Sequence, residues 1–261
     1  MTADSQLEHE LLNVAVEAAR AAGAELLPRW RHPLTIEAKS TPTDPVTEAD
    51  VAGEKAIRAV LARTRPDDSV LGEEGGATGD GDLRWVVDPL DGTVNYLYGL
   101  PTFAVSVAVE DANGALAGAV LDPVANELFT ATRSGVPLSN GQPIAASMCD
   151  SLNRALIGTG FGYDPAVRAL QAEIAARVIP AARDIRRAGA AALDMCACAS
   201  GRLDAYYERG VKPWDIAAGT LICERAGLVV RTLKPAGLLP SGVVVAAAGL
   251  IDELMALVDH V

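Results

Sequence analysis

Histidine is scarce in this 261-residue chain: only His9, His32 and His260 occur, and none neighbours the acidic motifs described below. That leaves no imidazole for a Ser-His relay or a zinc cage. Positive charge is in deficit as well. Lys and Arg number 22 against 34 Asp and Glu, giving a net charge of -12 and a pI near 4.7. No long-range field therefore draws the chain to the phosphates of nucleic acid or to an anionic bilayer, and the expectation is no direct nucleic-acid partner and no membrane partner. No apolar run reaches the roughly 18 residues of a spanning helix, because Gly, Pro or charge interrupts each one. The opening stretch MTADSQLEHELLNVAVEAAR carries acids where a secretory signal has its basic patch, which predicts a cytoplasmic protein. Cys149, Cys196, Cys198 and Cys223 show neither paired zinc spacing nor a secreted disulfide framework, and they read as core residues.

What is present is apolar mass. Half of the residues are hydrophobic, enough to bury the core of one large α/β unit or of two lobes sharing an interface. Ser5 and Glu8 have capping-box spacing ahead of Leu7, Leu11, Ala15, Ala18, Ala22 and Leu26, which predicts a long amphipathic helix. Pro28, Pro33, Pro42 and Pro45 bracket an extended arm with a mobile polar tip, and a second helix is predicted from about Thr47 to Arg63. The Gly- and Asp-rich stretch from Arg65 to Asp82 leads into a short strand, Trp85-Val86-Val87, ending in a turn at Asp88-Pro89. Strands are predicted over Phe103 to Val109, Ala115 to Leu121 and Glu127 to Thr132, with Asn113-Gly114 as a hairpin turn. After Asn140-Gly141 the pattern becomes strands separated by helices, including a helix opened by Asp164-Pro165 and another from about Asp215 to Ala226. The reading is an N-terminal α+β half, residues 1–145, followed by an α/β half, residues 146–261.

Chemistry concentrates in acids. In Asp88-Pro89-Leu90-Asp91-Gly92-Thr93, two carboxylates three residues apart can converge on a cation, Gly92 lets backbone approach a ligand, and Thr93 offers a hydroxyl. The same string is equally a turn sequence. Glu73 and Glu74 sit in a Gly-bounded loop and suit either a solvated tip or a cation. Asp50 stands at the capping-box interval from Thr47, and Asp215 begins a helix, so each is also a candidate cap. With only oxygen donors in these motifs, Mg²⁺ is the favoured ion.

Glu73 within G-E-E, Asp88 to Thr93 within W-V-V-D-P-L-D-G-T, and Trp214-Asp215-Ile216-Ala217-Ala218-Gly219 together resemble the three spaced signatures of the lithium-sensitive inositol monophosphatase family. Order and spacing match over nearly the whole chain, and three motifs in order are far more specific than one. The resemblance implies a layered α/β/α/β/α sandwich, a homodimer, and a site between the two halves. It implies two to three Mg²⁺ ions per site: Glu73, Asp88 and the Leu90 carbonyl at the first, Asp88, Asp91 and Asp215 at the second, and in some members a looser third beside Glu73. Asp50 with Thr93 resembles the pair that orients and deprotonates the attacking water, and Gly92 with Thr93 would contact phosphate. Lys39 resembles a lysine of the family's mobile loop, and reads equally as a solvated lysine. Gly189, Ala191 and Glu208 match positions that contact the alcohol, although Glu208 could simply end a strand.

The implied activity is hydrolysis of a small phosphorylated substrate, with myo-inositol 1-phosphate preferred. T-V-N-Y-L-Y-G-L-P, G-A-A-A-L-D-M and G-R-L-D-A-Y-Y-E-R-G-V look most like bacterial members. Rival activities are histidinol-phosphate phosphatase and 3'-phosphoadenosine 5'-phosphate phosphatase, and a rival of another class is a non-catalytic partner in a transcription complex.

Overall fold

Ala15, Ala18, Ala19, Ala22 and Leu26 recur at helical spacing and are fully buried along one side of α1 (Ala3–Arg29). The computed structural model describes residues 3–32, 36–38 and 45–259. Strands β1 (Ile36–Ala38) and β2 (Pro45–Thr47) pair antiparallel; the tip between them, which carries Lys39, lies outside the described residues. Helix α2 (Glu48–Thr64) is started by Thr47, whose Oγ1 accepts from Ala49 N at 3.1 Å.

Next come β3 (Ser69–Gly72), β4 (Gly76–Thr78), β5 (Arg84–Asp91), the single-turn helix α3 (Thr93–Leu97), β6 (Ala104–Asp111), β7 (Gly114–Asp122), β8 (Glu127–Thr132), β9 (Leu138–Ser139) and β10 (Gln142–Pro143). The strands form one sheet in the order β10-β9-β8-β7-β6-β5-β3-β4. Its centre, β5 to β8, is the expected antiparallel meander, turned between β6 and β7 at Asn113-Gly114, where Gly114 has φ 108°. Two features depart from the sequence reading. The stretch from Arg65 to Asp82 contains β3 and β4, and β3 runs parallel to β5, so the sheet is mixed. Only Gly72 in these two strands is buried, which leaves no alternating pattern to read.

The chain then adds β11 (Leu156–Thr159), α4 (Pro165–Val178), β12 (Asp184–Arg186), α5 (Ala191–Ala199), β13 (Ala205–Arg209), α6 (Pro213–Arg225), β14 (Val229–Leu233), β15 (Gly242–Ala246) and α7 (Ile251–Val258). The second sheet has the order β12-β11-β13-β15-β14, parallel across its first three strands and antiparallel across the rest.

Three buried clusters define the layers. Leu26, Ile57 and Leu61 of α1 and α2 pack on Trp85, Val87, Val105 and Val107 of the first sheet. That sheet's other face is lined by small residues such as Ala104 and Ala108, so α5 and α6 approach closely through Ala192 and Ala218, and these helices meet Tyr206 and Val245 of the second sheet behind them. Ile174, Val178, Leu254 and Val258 of α4 and α7 cover the far face through Ile157 and Val244. The architecture is an α/β/α/β/α sandwich. Cys196, Cys198 and Cys223 are buried free thiols, whereas Cys149, expected in the core, is only partly covered. Among the described residues no helix is long and apolar enough to cross a membrane.

Candidate active site

A β-bulge builds the site. Asp88 pairs with Ser106 and Asp91 with Ala104, so three steps along β5 match two along β6. Strict alternation would put residues three apart on opposite faces. The extra residue resets the phase: Leu90 drops into the outer core, 1% exposed, while Asp88 and Asp91 both face the α5/α6 layer. β5 therefore continues to Asp91 instead of ending at Asp88, as the sequence reading had it. On the same side, Ser106 Oγ donates to Trp214 O at 3.1 Å, and Asp91 Oδ2 accepts from Ala192 N at 2.7 Å, at the start of α5.

Asp88 lies at the bottom, 1% exposed, with Oδ1 accepting from Leu90 N at 2.9 Å. Asp215 meets it from the third position of α6, which starts at Pro213 and not at Asp215 as expected; its Oδ2 accepts from Lys212 N at 2.7 Å. Asp215 and Asp88 lie close enough that each acts on the other's ionisation. Burial, then the charges of Glu73, Asp215 and Asp91, holds the Asp88 carboxyl well above its ordinary range. Burial, then Asp215, does the same to Asp91. Asp215 itself is pushed up to about 7 by burial, against the Lys212 N–H and with Glu73 and Glu208 adding to the rise. Among the described residues no basic side chain pairs with Asp88, Asp91 or Asp215. A set of oxygen donors with surplus negative charge, Asp88 buried and Asp91 and Asp215 half-buried, fits a hard divalent cation, although among the described residues no three such side chains are already gathered to hold one.

Asp50, fully buried, does two things. Its Oδ2 accepts from Thr47 N at 2.8 Å and Thr47 Oγ1 at 2.6 Å, the expected capping box, while its Oδ1 lies 3.1 Å from Thr93 Oγ1. Thr93 Oγ1 is also 3.1 Å from the Leu90 carbonyl. Gly92 precedes α3 at φ 94°, and a Cβ there would stand 3.0 Å from Thr102 O, so both conformation and space demand glycine.

On the opposite wall, Gly189 and Ala191 flank the start of α5. Glu208, on β13, accepts a hydrogen bond from Tyr206 Oη, and burial raises its carboxyl. Lys39 lies outside the described residues.

Glu54 escaped the sequence reading. One turn along α2 from Asp50 and 3% exposed, it accepts from Glu74 N at 2.7 Å, Gly75 N at 2.8 Å and Arg58 Nε at 2.7 Å. A Cβ on Gly72 or Gly75 would sit 2.6 or 2.5 Å from its carboxylate, so these glycines let the Glu73 loop wrap around it. The available signal was the four-residue interval from Asp50, which shares a helix face. Asn95 was missed too: its Nδ2 donates to Thr102 O at 2.7 Å and Ala188 O at 2.8 Å, tying α3 to the loop before Gly189.

The model of the inositol monophosphatase family matches residues 7–260. The chain belongs to that family. An inositol-1-monophosphatase of Mycobacterium bovis is 48% identical over 235 residues, covering 85% of this chain and 80% of the relative. A Nus factor SuhB of Pasteurella multocida is 41% identical, covering 91% of each. The crystal structure of the extragenic suppressor protein suhB from Bartonella henselae superposes with a TM-score of 0.88 at 32% identity, over 95% of this chain and 98% of that one. Relatives of this chain thus carry two kinds of name, inositol-1-monophosphatase and Nus factor.

Proposed function

We propose that this protein is a Mg²⁺-dependent phosphomonoesterase acting on a small phosphorylated alcohol, with myo-inositol 1-phosphate as the preferred substrate. The observation that carries the reading is the cluster of buried Asp88 with half-buried Asp91 and Asp215, which among the described residues has no basic partner, beside the Asp50–Thr93 pair. Glu73, Asp88, the Leu90 carbonyl, Asp91 and Asp215 would hold the cations. Bound there, Mg²⁺ would supply positive charge to the phosphate oxygens and the departing alkoxide. Thr93, its hydroxyl donating to Asp50, has lone pairs free to accept a proton from a water, and Asp50 is placed to receive the hydroxyl proton in turn. The turn at Gly92 and Thr93 would seat the phosphate, and Glu208 would accept from hydroxyls of the alcohol. Lys39, proposed as a loop contact, lies outside the described residues. We assign metal binding chiefly to residues 1–145 and alcohol contacts to residues 146–261, in a cytoplasmic, lithium-sensitive homodimer.

The relatives named Nus factor support a second reading, a non-catalytic partner in transcription; the intact acid set favours catalysis. A phosphate-release panel decides between them, with inositol 1-phosphate, histidinol phosphate and 3'-phosphoadenosine 5'-phosphate as substrates in Mg²⁺ and in chelator. Turnover of inositol 1-phosphate only with Mg²⁺ is the expected result. Full turnover after exhaustive metal removal would refute the metal assignment, and no turnover of any ester would favour the transcription role.

A further inference from the structure

Beside the phosphate turn lies a cavity of ≈ 280 Å³ lined by Val94, Phe161, Gly162, Tyr163, Arg168 and Arg187. Pockets for whole small ligands run to about 300–1,000 Å³, so this one suits a single arm of a substrate. It adjoins the candidate active site in two ways. Val94 follows Thr93 in α3. On the other side, a Cβ on Gly92 would stand 3.2 Å from Gly189 O, and a Cβ on Gly189 would stand 2.5 Å from Arg187 Nη1. Arg187 is thus one residue layer from the turn assigned to phosphate, and its charge reaches Glu208, the carboxylate assigned to the alcohol.

Arg168 enters the cavity from the first turns of α4. Among the described residues the side chains of Arg168 and Arg187 hold no carboxylate, whereas eleven other arginines do. In a chain with 34 acids, this cavity wall carries two guanidinium groups and no carboxylate, although the charge of Arg187 also reaches Asp194 and Glu208 behind it. Guanidinium groups match the oxygens of phosphate and carboxylate. Phe161 and Tyr163 add aromatic surface to the wall, while both guanidinium groups stay open to solvent.

We propose that this cavity receives a second anionic group, a phosphate or carboxylate, carried by the alcohol part of the substrate. The inference rests on the phosphomonoesterase reading and refines its substrate class. A given alcohol is turned over more efficiently with a second anion at the right reach than without one, and an alcohol carrying an ammonium group, such as histidinol, is disfavoured.

Mannitol 1-phosphate and mannitol 1,6-bisphosphate test this, because the two ends of mannitol are equivalent and the second phosphate adds only a twofold statistical factor. The expected ratio of kcat/KM, bisphosphate over monophosphate, is roughly tenfold or more, and Arg168→Gln and Arg187→Gln each lower it by roughly three- to tenfold, as loss of a hydrogen bond to a charged group implies. A wild-type ratio no greater than the statistical factor, or a ratio unmoved in both variants, overturns the proposal. In chelator, the bisphosphate alone serves as a calorimetric probe of the cavity: binding to the wild-type protein that the double variant lacks supports the assignment, and equal or absent binding in both overturns it. Absence of phosphate release from every ester with Mg²⁺ would instead remove the phosphatase reading and leave the binding comparison to judge the cavity.

Discussion

Asp215→Asn separates the catalytic work proposed for the acid cluster from its structural cost. Burial, opposed by the Lys212 N–H and reinforced by Glu73 and Glu208, raises this carboxyl from 3.8 to about 7. The metal-free folded protein therefore keeps a proton that the unfolded chain releases near pH 4. Stability from this group is fully present below about pH 4 and is lost as pH rises through about 7. At ~1.4 kcal/mol per pH unit the loss approaches about 4 kcal/mol, and we expect about half of it because Asp215 titrates together with the neighbouring Asp88. Asparagine cannot ionise, yet its Oδ1 can still accept from Lys212 N, now 2.7 Å from the carboxylate. In chelator at pH 8 the variant should be more stable than the wild type by about 2 kcal/mol, and the difference should vanish near pH 4. Saturating Mg²⁺ should reverse the ranking, since ligand at 100-fold its Kd adds ~2.7 kcal/mol to a protein that binds it fully. Turnover should fall at least ~10²-fold, about 2.7 kcal/mol in barrier height. Urea denaturation at the two pH values, in chelator and in Mg²⁺, together with phosphate release, measures all of these. A variant no more stable than wild type in chelator at pH 8, or one with near-normal turnover, would refute the reasoning and leave Asp215 as a helix-start residue.

Glu54→Gln replaces an acceptor facing Glu74 N, Gly75 N and Arg58 with a group that also donates. The Mg²⁺ concentration for half-maximal turnover should rise at least ~10-fold, with kcat at saturating Mg²⁺ much less affected; equal loss of both, in a folded protein, would mean that Glu54 does not act through the Glu73 loop. Glu208→Gln keeps an acceptor for Tyr206 Oη and loses the charge proposed to meet the alcohol, so kcat/KM for inositol 1-phosphate should drop by roughly 1 to 3 kcal/mol relative to an aryl phosphate. Equal losses on both esters would assign Glu208 to support of the whole site.

Most elements of the fold are legible because their signals are local. Asn113-Gly114 turns β6 into β7, Asp164-Pro165 opens α4, and the spacing of Ala15, Ala18 and Ala22 marks the buried side of α1. What is hidden depends on partners distant in sequence. β3 is short, only partly buried along most of its length and stabilised by parallel pairing to a strand that starts at Arg84. The bulge after Asp88 leaves no signature apart from Pro89, because Asp88-Pro89 also reads as a strand end, yet only the bulge puts Asp88 and Asp91 on one face. Three motifs could thus be named from sequence while the geometry that makes them one site could not.

For each of these acids the structure shows the capping role, and that role is compatible with the ligand role proposed above. Asp88 accepts from Leu90 N, Asp91 from Ala192 N, Asp215 from Lys212 N and Asp50 from Thr47 N. In each case one carboxylate oxygen is held by a backbone N–H, which fixes the side-chain rotamer before any ligand arrives. A carboxylate fixed in this way loses less conformational entropy when a cation or water binds to its other oxygen. Capping is then a means of aiming these acids, and it fits that they occur at a bulge, a strand end and two helix starts, where N–H groups are available to hold them.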